Sequence, residues 1–365
     1  MQLGAVLVFD TGPLQLRNGG VDVEQIRAYT AERLSELPEL SAARGQGFSL
    51  DYHVRHASLP RPGDERALKR LAARVFSQAL DPGKPLWELW VVEGLDERRF
   101  ALIAKLDGAF FEPERGVVAS ALAALSPSGL LASLLGGRTA PAHLRIDWLP
   151  LDAADVAAVC NRLGAREGDV ILAALAGGLR RLFERRGGGA VGRAYASTPL
   201  CVANGRAAPR IRLPLDEPEP RARLVRVRAA RERVTAPEPT ASPLAALARL
   251  ARASARRARA DVVLAELAAP AGALLGARLR AAVPILPPPM GGTLGVTATR
   301  SGDCIFLGLS ADAVLMPDLS ALADGVAASF DELRKLAAAK KPAAARRPRA
   351  RRPPARPPRA EPEAR

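Results

Sequence analysis

Cysteine is scarce in this chain. Cys160, Cys201 and Cys304 are odd in number and far apart, which excludes a disulfide framework and gives no metal-ligand spacing. A reducing, cytoplasmic compartment is the expectation. Aromatic residues make up only 4% of the 365 residues, so Ala, Leu and Val must fill most of the core. No apolar run reaches the roughly 20 residues a membrane span requires. The uncharged stretch between Arg115 and Arg138 is broken by Ser126-Pro127-Ser128-Gly129 and reads as two short helical pieces. Met1 to Ala5 carry no basic n-region and no cleavage pattern, so no signal peptide is expected there. Signatures of common chemistries are also missing: no Gly-x-Ser-x-Gly elbow, no Walker loop, no His-Glu-x-x-His. Gly187-Gly188-Gly189-Ala190-Val191-Gly192 matches Gly-x-Gly-x-x-Gly literally. It follows a helix and precedes a strand, the wrong order for a dinucleotide turn, and reads as a flexible loop.

What is present is a core-sized apolar fraction, 48%, and a net charge of +15. The charge is concentrated. Residues 206–259 hold 14 Arg against 5 acids, and residues 340–365 hold 10 Lys and Arg against 2 Glu. The remainder is close to neutral. Arg249, Arg252, Arg256, Arg257 and Arg259 would form one face of a helix. That face is either solvated or touches anionic headgroups or CoA phosphates. The segment 340–365 is Pro, Arg and Ala without apolar period and is expected to be a disordered basic tail. Its charge suits any polyanion, but no aromatic residue interleaves it to stack bases, so a nucleic-acid partner is disfavoured.

Periodicity predicts alternating strands and helices. A strand is expected over Leu3–Phe9. Asp22 caps a helix with Val23, Ile26, Thr30, Leu34 and Leu37 on one face. A strand over Leu50–Ser58 follows. Asp64 then caps a helix burying Leu68, Leu71, Ala72, Val75, Phe76 and Ala79. Pro85–Glu93 and Phe100–Leu106 read as a hairpin, and the loop 107–116 leads into a helix. The pattern restarts with a strand at 144–149, helices at 152–163 and 169–186, and a strand at 193–203. Arg-rich helices follow at 221–234 and 243–260. Thr293–Thr299 and Cys304–Ser310 form a hairpin, and Asp318–Ala339 a last helix. The expected fold class is α/β in two lobes: 1–138, 139–339, and the tail.

The block from 48 to 116 carries the most information. Leu50-Asp51-Tyr52-His53-Val54-Arg55-His56, Pro85-Leu86-Trp87-Glu88-Leu89-Trp90 and Phe100-Ala101-Leu102-Ile103-Ala104-Lys105 occur in that order. Together they resemble the amino-terminal half of the bacterial wax ester synthase/diacylglycerol acyltransferase family. Gly168-Asp169-Val170 resembles that family's Asn-Asp-Val helix start. Thr293 to Thr297, Gly308 to Asp312 and Pro317-Asp318 resemble its closing hairpin and helix. The resemblance covers roughly residues 1–339. It implies a fold of the CoA-dependent acyltransferase type, with mixed sheets flanked by helices and a tunnel between the lobes. It also implies transfer of an acyl group from CoA to a long-chain alcohol or diacylglycerol, with no cofactor and no metal.

The family's His-His-x-x-x-Asp-Gly motif falls here on Asp107-Gly108-Ala109-Phe110-Phe111-Glu112-Pro113. The first His is Asp107; the second, which implies the general base, is Gly108; the Asp is Glu112 and the Gly is Pro113. Lys105 and Gly116 fit. An unperturbed Asp titrates near about 3.9, too low for a base at neutral pH. His53, His56 and His143 are the other histidines. The first two lie on the strand that resembles the family's His-Val-Arg segment, where they are not the base. Trp87 and Trp90, three apart on a strand, point to opposite faces, so core packing claims at least one. Trp87, Phe110 and Phe111 are the candidate lining of an acyl site. The family's Ser-Asn-Val-Pro-Gly-Pro segment appears only as Ala268-Ala269-Pro270-Ala271-Gly272, and its usual leading segment before Met1 is missing. Three functions fit these residues. One is a non-catalytic paralogue binding acyl-CoA or neutral lipid. Another is an acyltransferase with an atypical base, or one acting by positioning alone. The third is a basic-tailed scaffold at a lipid surface or on nucleic acid.

Overall fold

The computed structural model describes residues 2–35, 48–96, 98–107, 143–187, 194–197, 210–233, 262–267, 273–288 and 293–339. Strand β1 (Gln2–Asp10) leads into helix α1 (Val23–Ser35). Asp22 accepts from the Gln25 amide at 2.9 Å and so satisfies one of the free N–H groups of the first turn. Ile26, Thr30 and Leu34 are buried at the expected spacing.

The segment expected to be one strand over Leu50–Ser58 divides. Leu50–His53 is a single helical turn, α2, and the strand β2 is Val54–Ser58. His53 therefore lies off the strand. Helix α3 (Glu65–Ser77) is capped by Asp64, which accepts from the Ala67 amide. Leu68, Leu71, Ala72, Val75 and Phe76 are buried, whereas Ala79 lies beyond the helix end and is exposed. Strands β3 (Trp87–Leu95) and β4 (Arg99–Asp107) form the expected hairpin, β3 two residues later than expected and β4 one residue longer at each end.

The second half begins with β5 (Leu144–Asp152), α4 (Ala153–Leu163) and α5 (Glu167–Arg185). Next come β6 (Ala194–Ser197), β7 (Arg210–Leu213) and α6 (Pro220–Glu232). Strands β8 (Val262–Leu267), β9 (Ala273–Leu274) and β10 (Ala277–Ile285) were not expected. The hairpin β11 (Leu294–Ser301) and β12 (Cys304–Asp312) closes through Gly302-Asp303, and α7 (Leu319–Ala338) ends the described chain. The basic helix expected at 243–260, segment 268–272 and the tail 340–365 lie outside the described residues.

Two six-stranded mixed sheets result, in the orders β2-β3-β4-β1-β10-β9 and β5-β12-β11-β8-β6-β7. The sheets do not divide at residue 138. Strand β10 pairs antiparallel with β1, from Gly4–Ile285 to Phe9–Leu279, so part of the span 139–339 completes the first sheet. Pro284 interrupts the apparent strand pattern of this segment. It is tolerated because β9 pairs only with Ala277 and Arg278, leaving Pro284 on an open edge.

On that side β10 meets β11 and β12 without a ladder. The Thr297 hydroxyl donates to the Pro284 carbonyl at 2.7 Å, and Ser310 donates to Leu286. Gly295 and Gly308 allow this approach. A Cβ on Gly295 would sit 1.9 Å from the Leu286 oxygen, and one on Gly308 would sit 2.8 Å from that of Pro284. Helix α3 makes the second join. Lys69 pairs with Asp147 at 2.7 Å and donates to the Trp148 carbonyl at 2.8 Å, both on β5. In the second lobe, α5, α6 and α7 converge on the buried Arg223. Its guanidinium donates to the carbonyls of Ala173, Glu217 and Pro218, to the Ser329 hydroxyl and to Glu332.

Candidate functional site

Strand β4 delivers the chain to the motif loop. It runs antiparallel to β1 with Leu106 opposite Leu3 and Asp107 opposite Gln2, and to β3 with Leu106 opposite Trp87. Asp107 is thus the last residue of a central strand. Gly108, Phe110, Phe111, Glu112 and Pro113 lie outside the described residues. Of the candidate site residues, Trp87 and the backbone of Asp107 can be placed, on neighbouring strands at the same end of the sheet.

The two faces of this end differ. Alternation along β3 and β4 puts Glu88 and Lys105 on the α3 face, and Trp87, Leu89, Ala104 and Leu106 on the α1 face. Lys105 is fully buried. Its ammonium donates to the carbonyl of Val75 at 2.8 Å and to that of Gln78, where α3 ends. A cation at a helix C-terminus meets free carbonyls and the negative end of the helix dipole. Glu88, 5% exposed, sits 4.0 Å from Lys105, pairs with Arg55 at 3.1 Å and accepts from the Trp90 indole at 3.0 Å. Burial holds the Lys105 pKa down at about 8; Glu88 works against that shift and Arg55 adds to it. Lys105, Glu88 and Arg55 bind one another and neighbouring backbone within the protein. The work of this cluster is to fix the end of β4, two residues before the motif loop.

On the α1 face lies an apolar cavity of about 500 Å³, part of it open to solvent, whose walls include Ile26, Tyr29, Trp87, Leu89, Leu106 and Leu274. The cavity belongs to the first lobe, between α1 and the sheet, with β9 at its border.

His53 stands at the same end. The helical turn α2 places its imidazole against the Trp87 ring, stacked at 4.5 Å, and Phe48 stacks on it at 5.3 Å. Tyr52 meets its edge at 5.1 Å. The Nδ1–H donates to the Trp87 carbonyl at 2.8 Å, and Nε2 is buried without a hydrogen-bond partner. Burial lowers its pKa below 6.5, with Lys84 and Arg55 adding to the effect against the Trp87 hydrogen bond and the Glu88 charge. His56, on β2, pairs with Glu93 at 3.2 Å. Trp90 packs on the α3 face, opposite Trp87.

Sequence reasoning missed the Glu88–Lys105–Arg55 cluster and the pinning of His53. The signal for the first was a lone Lys inside an apolar strand. The second gave no local signal, because Trp87 is distant in sequence. Among the described residues, no group of His, Cys, Asp and Glu could hold a metal ion. Burial raises both described cysteine thiols, Cys160 and Cys304, which keeps them protonated. Among the described residues, no helix is long and apolar enough to cross a membrane.

The chain is similar to known proteins. The model of the wax ester synthase/diacylglycerol acyltransferase catalytic domain matches residues 21–128, and that of the WS/DGAT C-terminal domain matches residues 211–334. A putative diacylglycerol O-acyltransferase of Mycobacterium tuberculosis is 27% identical over 377 residues, covering 86% of this chain and 84% of the relative. A probable diacylglycerol O-acyltransferase of the same species is 47% identical over 87 residues, covering 24% of this chain and 18% of the relative. Among solved structures, the wax ester synthase/diacylglycerol acyltransferase from Marinobacter aquaeolei VT8 superposes with a TM-score of 0.70 at 20% identity, covering 92% of this chain and 95% of that one. The first condensation domain of the CDA synthetase superposes with a TM-score of 0.55 at 14% identity, covering 92% of each chain. At these identities the structural likenesses establish the fold.

Proposed function

The chain belongs to the wax ester synthase/diacylglycerol acyltransferase family, and we propose that it is a member that binds acyl-CoA and neutral lipid after losing the base of the transfer reaction. Gly108 carries the reading. At the position of the motif's second histidine stands a residue with no side chain. Acyl transfer from a thioester to an alcohol requires removal of the hydroxyl proton as the oxygen attacks, and an imidazole suits this at neutral pH. Asp107 is one residue away from that position and is too weak a base unless its pKa is strongly raised. Losing a general base slows such a reaction by about 10²–10⁴-fold.

Binding is supported independently of the base. The apolar cavity beside Trp87 offers an apolar surface to an acyl or alkyl chain. The family's inter-lobe tunnel and peripheral contact with a membrane or lipid-inclusion surface belong to the same reading. The Arg249–Arg259 segment and the basic tail would supply that contact.

One assay tests it. The purified chain is incubated with palmitoyl-CoA and either diacylglycerol or hexadecanol, and free CoA is followed alongside a thermal shift. The reading predicts a shift with palmitoyl-CoA and no enzymatic release of CoA. Turnover that Asp107→Ala abolishes would overturn it.

A further inference from the structure

The two lobes meet around the C-terminal end of α3. The Gln78 carbonyl there accepts from Lys105, two residues before the motif loop, and the Ser77 hydroxyl accepts from the Leu144 amide at 2.9 Å. Leu144 lies opposite Asp312 in the β5–β12 ladder, and the Ala313 amide donates to the His143 carbonyl at 2.9 Å. The hydrogen bond from Ser310 to Leu286 joins the same two ends from the β10 side. The turn from Asp312 to Met316 therefore stands at the same end of the molecule as Asp107.

This turn displays two aliphatic side chains: Val314 is 80% exposed and Leu315 55%. Its backbone is tied down. The Asp312 carboxylate accepts from the Val314 amide at 2.7 Å and from the Leu315 amide at 3.3 Å, and the Asp312 carbonyl accepts from the amide of the buried Met316. Side chains held in water add nothing to the core, so their apolar surface is left for a partner. Cations flank it. Arg145, exposed on β5, lies opposite Ala311. Arg185, exposed at the end of α5, adjoins Arg186, which pairs with Asp318. The two nearby carboxylates, Asp312 and Asp318, are thus engaged, and among the described residues neither Arg145 nor Arg185 has an ion-pair partner. An apolar tip with a cationic rim matches the boundary between acyl chains and anionic headgroups.

We propose that Val314 and Leu315, rimmed by Arg145 and Arg185, seat this end of the molecule on an anionic lipid surface. This rests on the peripheral contact in the reading above and names a folded surface that makes it, apart from the Arg249–Arg259 segment and the tail. The placement turns the Asp107 end of the first sheet toward the lipid.

The test uses the full chain and sedimentation with sucrose-loaded vesicles of phosphatidylglycerol mixed with phosphatidylcholine. Val314→Ser with Leu315→Ser should weaken binding about tenfold or more, because two aliphatic side chains no longer leave water. Arg145→Ala with Arg185→Ala should weaken it by about tenfold and flatten its dependence on salt. All four side chains are exposed, so these variants keep the fold. In a separate variant, Val314→Trp, vesicles with brominated acyl chains should quench the fluorescence beyond that of the parent, whose Trp87 and Trp148 are buried. Binding undiminished in either folded pair, or a Val314→Trp signal that brominated chains leave untouched, overturns the placement alone. Self-association of the parent that the serine pair abolishes, without vesicle binding, assigns the face to a second copy and overturns it as well. No vesicle binding at all overturns the peripheral contact and the placement with it, whereas palmitoyl-CoA binding is read separately by thermal shift.

Discussion

The Lys105 ammonium donates to the Val75 carbonyl at 2.8 Å, fastening the strand that ends at Asp107 to the last turn of α3. Glu88 balances the charge. The anchor stands two residues ahead of Asp107, the last residue of β4.

Replacing this anchor should cost stability in a pH-dependent way. Lys105→Met leaves two helix-end carbonyls without their donor, and should destabilise the protein by about 1–3 kcal/mol in urea titration near neutral pH. The folded-state pKa, about 8, lies below the unfolded value of 10.5. Between these values the unfolded chain holds the additional proton, so stability should rise with pH across that window. The rise should vanish in Lys105→Met.

His53 should give the same sign of slope in acid. Its folded pKa is lowered from 6.5, so below that value the unfolded chain binds the proton first. The stability contributed by the neutral buried ring is present above 6.5 and lost as pH falls through the folded value. Acid titration of His53→Phe should show a shallower loss than the parent. An equal loss would place the acid sensitivity elsewhere.

Arg223 should be the most sensitive charge of the second lobe. It is 2% exposed and serves carbonyls of α5 and of the turn before α6 as well as Ser329 and Glu332. Arg223→Met should cost about 2–4 kcal/mol, chiefly through carbonyls left unpaired. A double-mutant cycle with Ser329→Ala should return a coupling of about 0.5–3 kcal/mol.

The contact between the two sheets admits no side chain at Gly295. Gly295→Val should unfold at a denaturant concentration lower by the equivalent of about 1–3 kcal/mol, the cost of overpacking. Gly302→Ala is the comparison, because nothing lies within 4 Å of a Cβ there; its cost should come from its positive φ alone.

Restoring the motif tests the loss of the base directly. Asp107→His and Gly108→His, combined with Glu112→Asp and Pro113→Gly, should raise CoA release from palmitoyl-CoA with hexadecanol by about 10²-fold or more. No gain in a folded variant that still binds palmitoyl-CoA would show that the loop was not what stopped the chemistry.

Much was legible in the residues. Asp22 and Asp64 marked helix starts, and the apolar spacing of Leu68 to Phe76 marked a buried face, because capping and helical period are local. The strand leading to Gly108 was equally plain, since its apolar run located it. The helical turn Leu50–His53 was not legible. Four residues carry too little period to separate a turn from the start of a strand. Tertiary structure alone decided the rest. Strand β10 joins the first sheet through pairing with β1 across most of the chain, and its Pro284 is tolerated only because that side of β10 forms no ladder. Lys105 is tolerated in the core only because α3 ends where its carbonyls can receive the ammonium. His53 became a pinned, neutral and unpaired imidazole because the Trp87 carbonyl and ring arrive from a different strand. Sequence determines what lies within reach of a turn of chain; burial and hydrogen-bond satisfaction depend on partners that only the folded sheet brings together.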